Sequence, residues 1–112
     1  MKYFELLSTD KIYKIRVGVS AQDNWNIIDN SEENDIWFHV DDYPSCHVVL
    51  SIADDMNKPP KSVIKYCATL CKQGSKVKNC KNVKIIYTEI KNVQKDVTVG
   101  SVTTKKTKCL RI

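Results

Sequence analysis

The chain has 112 residues, 42% of them hydrophobic, and a formal net charge of +5. That length holds one compact domain with a modest core and is too short for two comfortable ones, so residues 1–112 are read as a single domain. No apolar run approaches the roughly 20 residues that cross a bilayer, charge interrupts the opening Met1-Lys2-Tyr3-Phe4-Glu5 before a signal-like segment forms, and five cysteines are an odd number for a disulfide scaffold. A soluble, cytoplasmic protein with reduced thiols and no membrane partner is the expectation.

The net charge conceals a split. Residues 1–56 carry four basic and eleven acidic side chains, net −7, whereas residues 57–112 carry fourteen basic and two acidic, net +12. The second half is therefore the candidate contact surface for a polyanion, set against the plainer reading of a solvated lysine-rich face.

In chain order, Tyr3 to Leu7 reads as a strand and Ser8 to Lys11 as a turn. Ile12 to Val17 alternates, with Tyr13, Ile15 and Val17 on one side and Lys14 and Arg16 on the other. Gly18 ends that strand. Residues 19–34 suit either a short helix capped by Ser20 or an irregular crossover, with Trp25 packed on the core. Asp35 to Val40 and His47 to Ile52 are rich in aromatic and β-branched residues, and the polar run Asp41 to Cys46 turns the chain between them, which predicts an adjacent strand pair at the centre of the fold. Trp37 and Phe38 point to opposite faces of such a strand, so one is expected in the core and the other half-exposed.

Ala53 to Pro60 is a polar connector. Val63, Ile64, Cys67, Ala68, Leu70 and Cys71 then recur at three- and four-residue intervals, predicting an amphipathic helix over about 61–73 with Gly74 as its stop. A basic loop, residues 75–82, leads to a strand over 83–88, a short strand or turn within 89–96, a strand within 97–103 and a last one over 108–112. The predicted fold class is α+β, a mixed or largely antiparallel sheet packed against one long amphipathic helix that covers one side.

Chemistry-bearing residues are few. His39, His47 and Cys46 surround the central turn, but no paired CxxC or HExxH spacing accompanies them and a fourth ligand would have to come from Asp35, Asp41 or Asp42. Neighbouring Cys46 and His47 lie on opposite faces of a strand, which does not make a nucleophile and base pair. No phosphate loop or dinucleotide fingerprint is present, so neither an enzyme nor a bound cofactor or metal is expected. Lysines are the stronger signal. Lys72, Lys76, Lys78, Lys81 and Lys84 cluster at the helix end and the loop after it, and Lys105, Lys106, Lys108 and Arg111 lie near the C-terminus. If the last strand returns beside the helix end, these residues form one patch that touches several phosphates.

The segment Asp35-Ile36-Trp37-Phe38-His39, followed by Pro44-x-x-His47-Val48, resembles the signature of the NFACT RNA-binding domain, found in ribosome-quality-control NFACT proteins and in small coiled-coil-domain-containing relatives. The resemblance extends to Gly18 and Asn24, to Cys67, Ala68 and Leu70, to Ser75 and Lys76, and to Asn92-Val93-x-Lys95 with Gly100-x-Val102. It implies RNA as the partner, ribosomal RNA included, with Asp35, Trp37, His39 and His47 as marker residues, Gly18, Asn24, Ser75 and Lys95 secondary, and Lys95 joining the contact lysines. The histidines would either order the turn or meet a phosphate or base. Ser45-Cys46 stands where the large proteins typically have Gly-Ser, and Val19 where a basic residue is frequent. The chain looks like the isolated RNA-binding module, so the wider quality-control activity is not expected from it alone. Two alternatives remain open: a DNA or general polyanion binder, and an adaptor for a protein partner that supplies the other family domains. The adaptor reading predicts an exposed apolar patch around Trp25, Trp37 or Phe38.

Overall fold

The computed structural model describes residues 1–52 and 58–112. Residues 53–57 of the expected connector lie outside the described residues. The elements are β1 (Lys2–Ser8), β2 (Lys11–Val17), α1 (Ala21–Asp29), β3 (Ile36–Val40), β4 (Val48–Leu50), α2 (Lys61–Gln73), β5 (Lys84–Glu89), β6 (Val93–Lys95), β7 (Val102–Thr104) and β8 (Lys108–Arg111). Six strands make one sheet in the order β1-β2-β4-β3-β5-β8, and every pairing in it is antiparallel. β6 and β7 form a separate two-stranded ribbon.

The β1–β2 hairpin closes through Thr9 and Asp10, both at positive φ (50° and 62°), the backbone twist that a two-residue turn between antiparallel strands requires. Ser20 caps α1, its Oγ accepting the amide N–H of Asp23 at 3.1 Å, so the helix forms rather than the crossover. In α2, Val63, Cys67, Ala68 and Cys71 are all buried, one stripe of a 3.6-residue period facing the sheet. Gly74 ends this helix at φ −89°, so it is not there for a left-handed backbone. A Cβ at Gly74 would overlap Cys46 Sγ, and close packing explains the glycine.

Strand alternation distributes the core to both faces of the sheet. Ile15, Phe38, Val48, Leu50 and Ile85 join Val63, Cys67 and Cys71 under α2. Trp37 and Val49 point the other way and pack with Ile27, Ile28 and Ile90, with Trp25, Val93 and Val102 against them. This corrects the expectation of a sheet covered on one side by one long helix: α2 has 13 residues, and α1 with the β6–β7 ribbon covers the opposite face. It also corrects the expected half-exposure at Trp37 or Phe38, since they are 1% and 0% exposed.

Candidate nucleic-acid interface

β3 and β4 pair in the register Ile36↔Leu50, Trp37↔Val49 and Phe38↔Val48; continued by one residue it sets His47 opposite His39, which shares the α1 face with Trp37. The Trp37 Nε1–H donates to His47 Nδ1 at 3.1 Å. The His39 ring stacks parallel to Trp37 with centroids 5.6 Å apart and meets His47 edge-on at 5.1 Å. Because Nδ1 accepts a hydrogen bond, His47 carries its proton on Nε2 and is neutral. Burial, reinforced by repulsion from His39, lowers the His47 pKa to about 3, and burial also lowers that of His39. Neither histidine offers a phosphate a positive charge at neutral pH.

Of the remaining marker residues, Asp35 and Gly18 are buried, Asn24 and Ser75 half-buried and Lys95 exposed. Asp35 is 3% exposed; its Oδ1 accepts the N–H of Ile52 at 2.9 Å, its Oδ2 accepts the N–H of Glu32 at 2.9 Å, and Arg16 Nη2 lies 3.4 Å from Oδ2. Asn24 Oδ1 accepts the His47 N–H at 3.1 Å, while the Gly18 N–H donates to the His47 carbonyl at 2.9 Å. A Cβ on Gly18 would overlap Asn24 Oδ1, so the glycine is what lets α1 clamp the start of β4. Ser75 forms an isolated antiparallel bridge with Ser45, and Cys46 N–H donates to the Gly74 carbonyl at 3.2 Å. Together these bonds tie the central turn to the end of α2. Gly18, Asn24 and Ser75 line a cavity of about 570 Å³ that also takes in Lys2 and Lys76.

The lysines fall into more than one group. Lys76, Lys78 and Lys81 are exposed in the loop after α2. Lys72 Nζ donates to the Ile112 carbonyl at 3.2 Å, and Lys84, opposite Arg111 in the β5–β8 ladder, pairs with Asp41 at 3.3 Å. Thus the last strand does return beside the helix end and brings Arg111 to that group. Lys108, however, lies opposite Tyr87 at the other end of the same ladder. Three strand steps of about 3.3 Å separate it from Arg111, so Lys105, Lys106 and Lys108 flank a different region. There a groove of about 1050 Å³ is lined by Lys106 and Lys108 together with Lys58, Lys61, Lys65 and Lys91. Lys95 belongs to neither group: it sits on the β6–β7 ribbon, its Nζ 2.7 Å from Asp29 and 5.4 Å from the Trp25 ring centroid.

Sequence reasoning left out Lys58, Lys61, Lys65 and Lys91 as contact residues, and Lys2 in the acidic half. Lys61 and Lys65 recur at a four-residue spacing on one side of α2, but no local pattern signals that β8 faces them. Among the described residues, no group of three or more His, Cys, Asp or Glu side chains is placed to hold a metal ion. All five cysteines are free thiols.

The architecture is that of a small α+β binding module, an antiparallel sheet between two helical layers with lysines on its rim. The profile of the NFACT protein RNA binding domain matches residues 1–106, and the chain belongs to that family. It is 35% identical over 106 residues to coiled-coil domain-containing protein 25 of Bos taurus, covering 89% of this chain and 50% of that protein. It is also similar to the Rqc2 homolog RqcH of Bacillus subtilis, 36% identical over 62 residues, covering 55% of this chain and 10% of that one. A solved structure, the C-terminal part of the fibronectin/fibrinogen-binding protein from Streptococcus suis, superposes with a TM-score of 0.84 at 29% identity, over 100% of this chain and 45% of the other. The chain spans about half the length of the coiled-coil-domain relatives it matches. As a member of this family it is a non-catalytic binding module, and its lysine-bearing surface suits nucleic acid or another polyanion.

Proposed function

We propose that the chain binds RNA, with structured or ribosomal RNA as the favoured ligand, in the cytoplasm and in association with ribosome quality control. The observation that supports this reading, beside family membership, is that Lys76, Lys78, Lys81, Lys105 and Lys106 are exposed and, among the described residues, none of them is paired with a carboxylate. Cations left to solvent displace the counterions condensed on the phosphates they meet, and the release of those counterions drives association. The marker residues support it indirectly, by fixing the turn and the helix end from which the loop lysines project.

The adaptor reading expects an apolar patch around Trp25, Trp37 or Phe38. Trp37 and Phe38 are buried, and Trp25 is half-buried with its Nε1–H donated to the Ser101 carbonyl at 3.0 Å. Of the large exposed apolar residues, Tyr3, Leu7 and Ile12 lie on the β1–β2 hairpin, and Val97 and Val99 lie in the loop that leads to Ser101. A DNA ligand shares the phosphate chemistry and is separated from RNA only by experiment.

That experiment is binding of matched single-stranded RNA, duplex RNA, duplex DNA and a ribosomal RNA fragment across a salt series. Preference for an RNA beyond the shared salt dependence is expected. The triple substitution Lys76→Glu, Lys78→Glu and Lys81→Glu should weaken binding to every phosphate ligand and reduce the salt slope by about 0.7 to 0.9 for each phosphate no longer neutralised. Equal, weak binding of all four ligands would sink the RNA reading.

A further inference from the structure

Besides the loop lysines, the molecule carries a second basic feature of a different kind, the groove between the N-terminal half of α2 and the β5–β8 edge. Its floor is apolar. Ile36, Ile52, Ile64, Tyr87 and Leu110 all line it, and all five are partly buried residues packed on the core beneath α2. They are therefore backed by fixed side chains, and Tyr87 is further held by stacking on Phe38, centroids 5.5 Å apart and planes 22° from parallel. The rim is cationic. Lys61 and Lys65 stand one turn apart on α2, so they share a side of the helix. Lys108 is the ladder partner of Tyr87, and Leu110 that of Ile85, so these four point to the same face of the sheet. Glu89 is the only acidic residue in the lining among the described residues, and Lys91 pairs with it at 3.4 Å. Asn34 and Asn92 add neutral hydrogen-bonding groups.

A recessed apolar floor under a ring of lysines asks for a ligand with a flat apolar part and anionic flanks. A duplex does not supply this, because its bases are paired and stacked, so it presents phosphates, sugars and base edges to a protein surface but no flat base face. An unpaired nucleotide does: its base lies on aromatic and aliphatic side chains while its phosphates meet the lysines around it. The volume of about 1050 Å³ is at the upper end of what a small-ligand site occupies, room for more than one nucleotide.

We propose that this groove is a binding site for unpaired bases of single-stranded nucleic acid, with Tyr87, Ile64 and Leu110 under the base and Lys61, Lys65, Lys106 and Lys108 on the flanking phosphates. The inference rests on the nucleic-acid reading above and adds the single-stranded class and the place. It divides the surface into a loop that attracts any phosphate backbone and a groove that selects unpaired segments.

The test uses the whole chain with a 12-nucleotide single-stranded RNA, a duplex RNA of equal phosphate count and a polyglutamate of equal charge. Tyr87→Leu should weaken the single strand roughly 5- to 150-fold, the range one stacked base supplies, and leave the duplex within about twofold. Lys61→Glu with Lys65→Glu should do the same. Should Tyr87→Leu fail to fold, methyl NMR of the unsubstituted protein decides: the single strand must shift the methyl resonances of Ile64 and Leu110 through the ring current of the base, and neither duplex nor polyglutamate should. Unmoved methyls, polyglutamate binding as tightly as the RNA, or groove variants that bind single strands normally would each overturn the groove. If the loop triple variant alone abolishes binding, the groove falls and RNA binding stands. If the unsubstituted protein binds no nucleic acid, both fall.

Discussion

Replacing Asp35 by alanine separates a structural marker from a ligand contact. Its two carboxylate oxygens accept the amide N–H groups of Ile52 and Glu32, each at 2.9 Å, and face Arg16 at 3.4 Å, in a site only 3% exposed. Alanine strands two amides, each costing about 1–3 kcal/mol when buried without a partner, and leaves Arg16 without its carboxylate. Breaking a buried ion pair from one side costs about 3–5 kcal/mol, and because the amide and ion-pair losses overlap, about 3–5 kcal/mol is expected in all. For a domain of about 100 residues each kcal/mol moves Tm by about 4–8 °C, so a fall of at least about 12 °C should appear in thermal melts and a matching loss in urea titrations followed by tryptophan fluorescence. Asp41→Ala is the control. Its pair with Lys84 spans 3.3 Å between side chains that are 28% and 41% exposed, and less than about 1 kcal/mol is expected. An Asp35→Ala protein as stable as the original, with its RNA affinity gone, would refute the reasoning and make Asp35 a ligand contact.

The buried histidine makes stability depend on pH. Folded His47 stays neutral down to about pH 3, whereas in the unfolded chain it takes up a proton near pH 6.5. Between those values the unfolded state binds the extra proton, so the stabilisation is fully present above about pH 6.5 and is lost as pH falls, by up to about 1.4 kcal/mol per unit; urea midpoints flat between pH 6.5 and 4.5 would contradict this. Gly18→Ala places a methyl group on Asn24 Oδ1, displacing the acceptor of the His47 N–H, and a loss of about 1–3 kcal/mol is expected in urea melts. Lys95→Ala should change RNA affinity less than Lys78→Ala, because the Lys95 charge is already engaged by Asp29 and Trp25; fluorescence anisotropy of the two variants in parallel decides it.

What the linear chain determined is what depends on local spacing. The 3.6-residue recurrence of Val63, Cys67 and Cys71 marked α2 to its ends at Lys61 and Gln73; the alternation of Tyr13, Ile15 and Val17 marked β2; and the DIWFH and PxxHV segments carried the family. Tertiary structure alone decided the rest, because each remaining answer depends on which elements become neighbours. Trp37 and Phe38 are both buried because helical or ribbon layers cover both faces of the sheet, a fact no window of sequence contains. Gly18, Asn24 and His47 are brought together by hydrogen bonds between residues 23 and 29 apart, which leave no periodic trace. The lysines that read as one patch divided because β8 runs antiparallel to β5, sending Arg111 toward Lys84 and Lys108 toward Tyr87. Charge can be counted along a chain, but strand direction decides where it is placed.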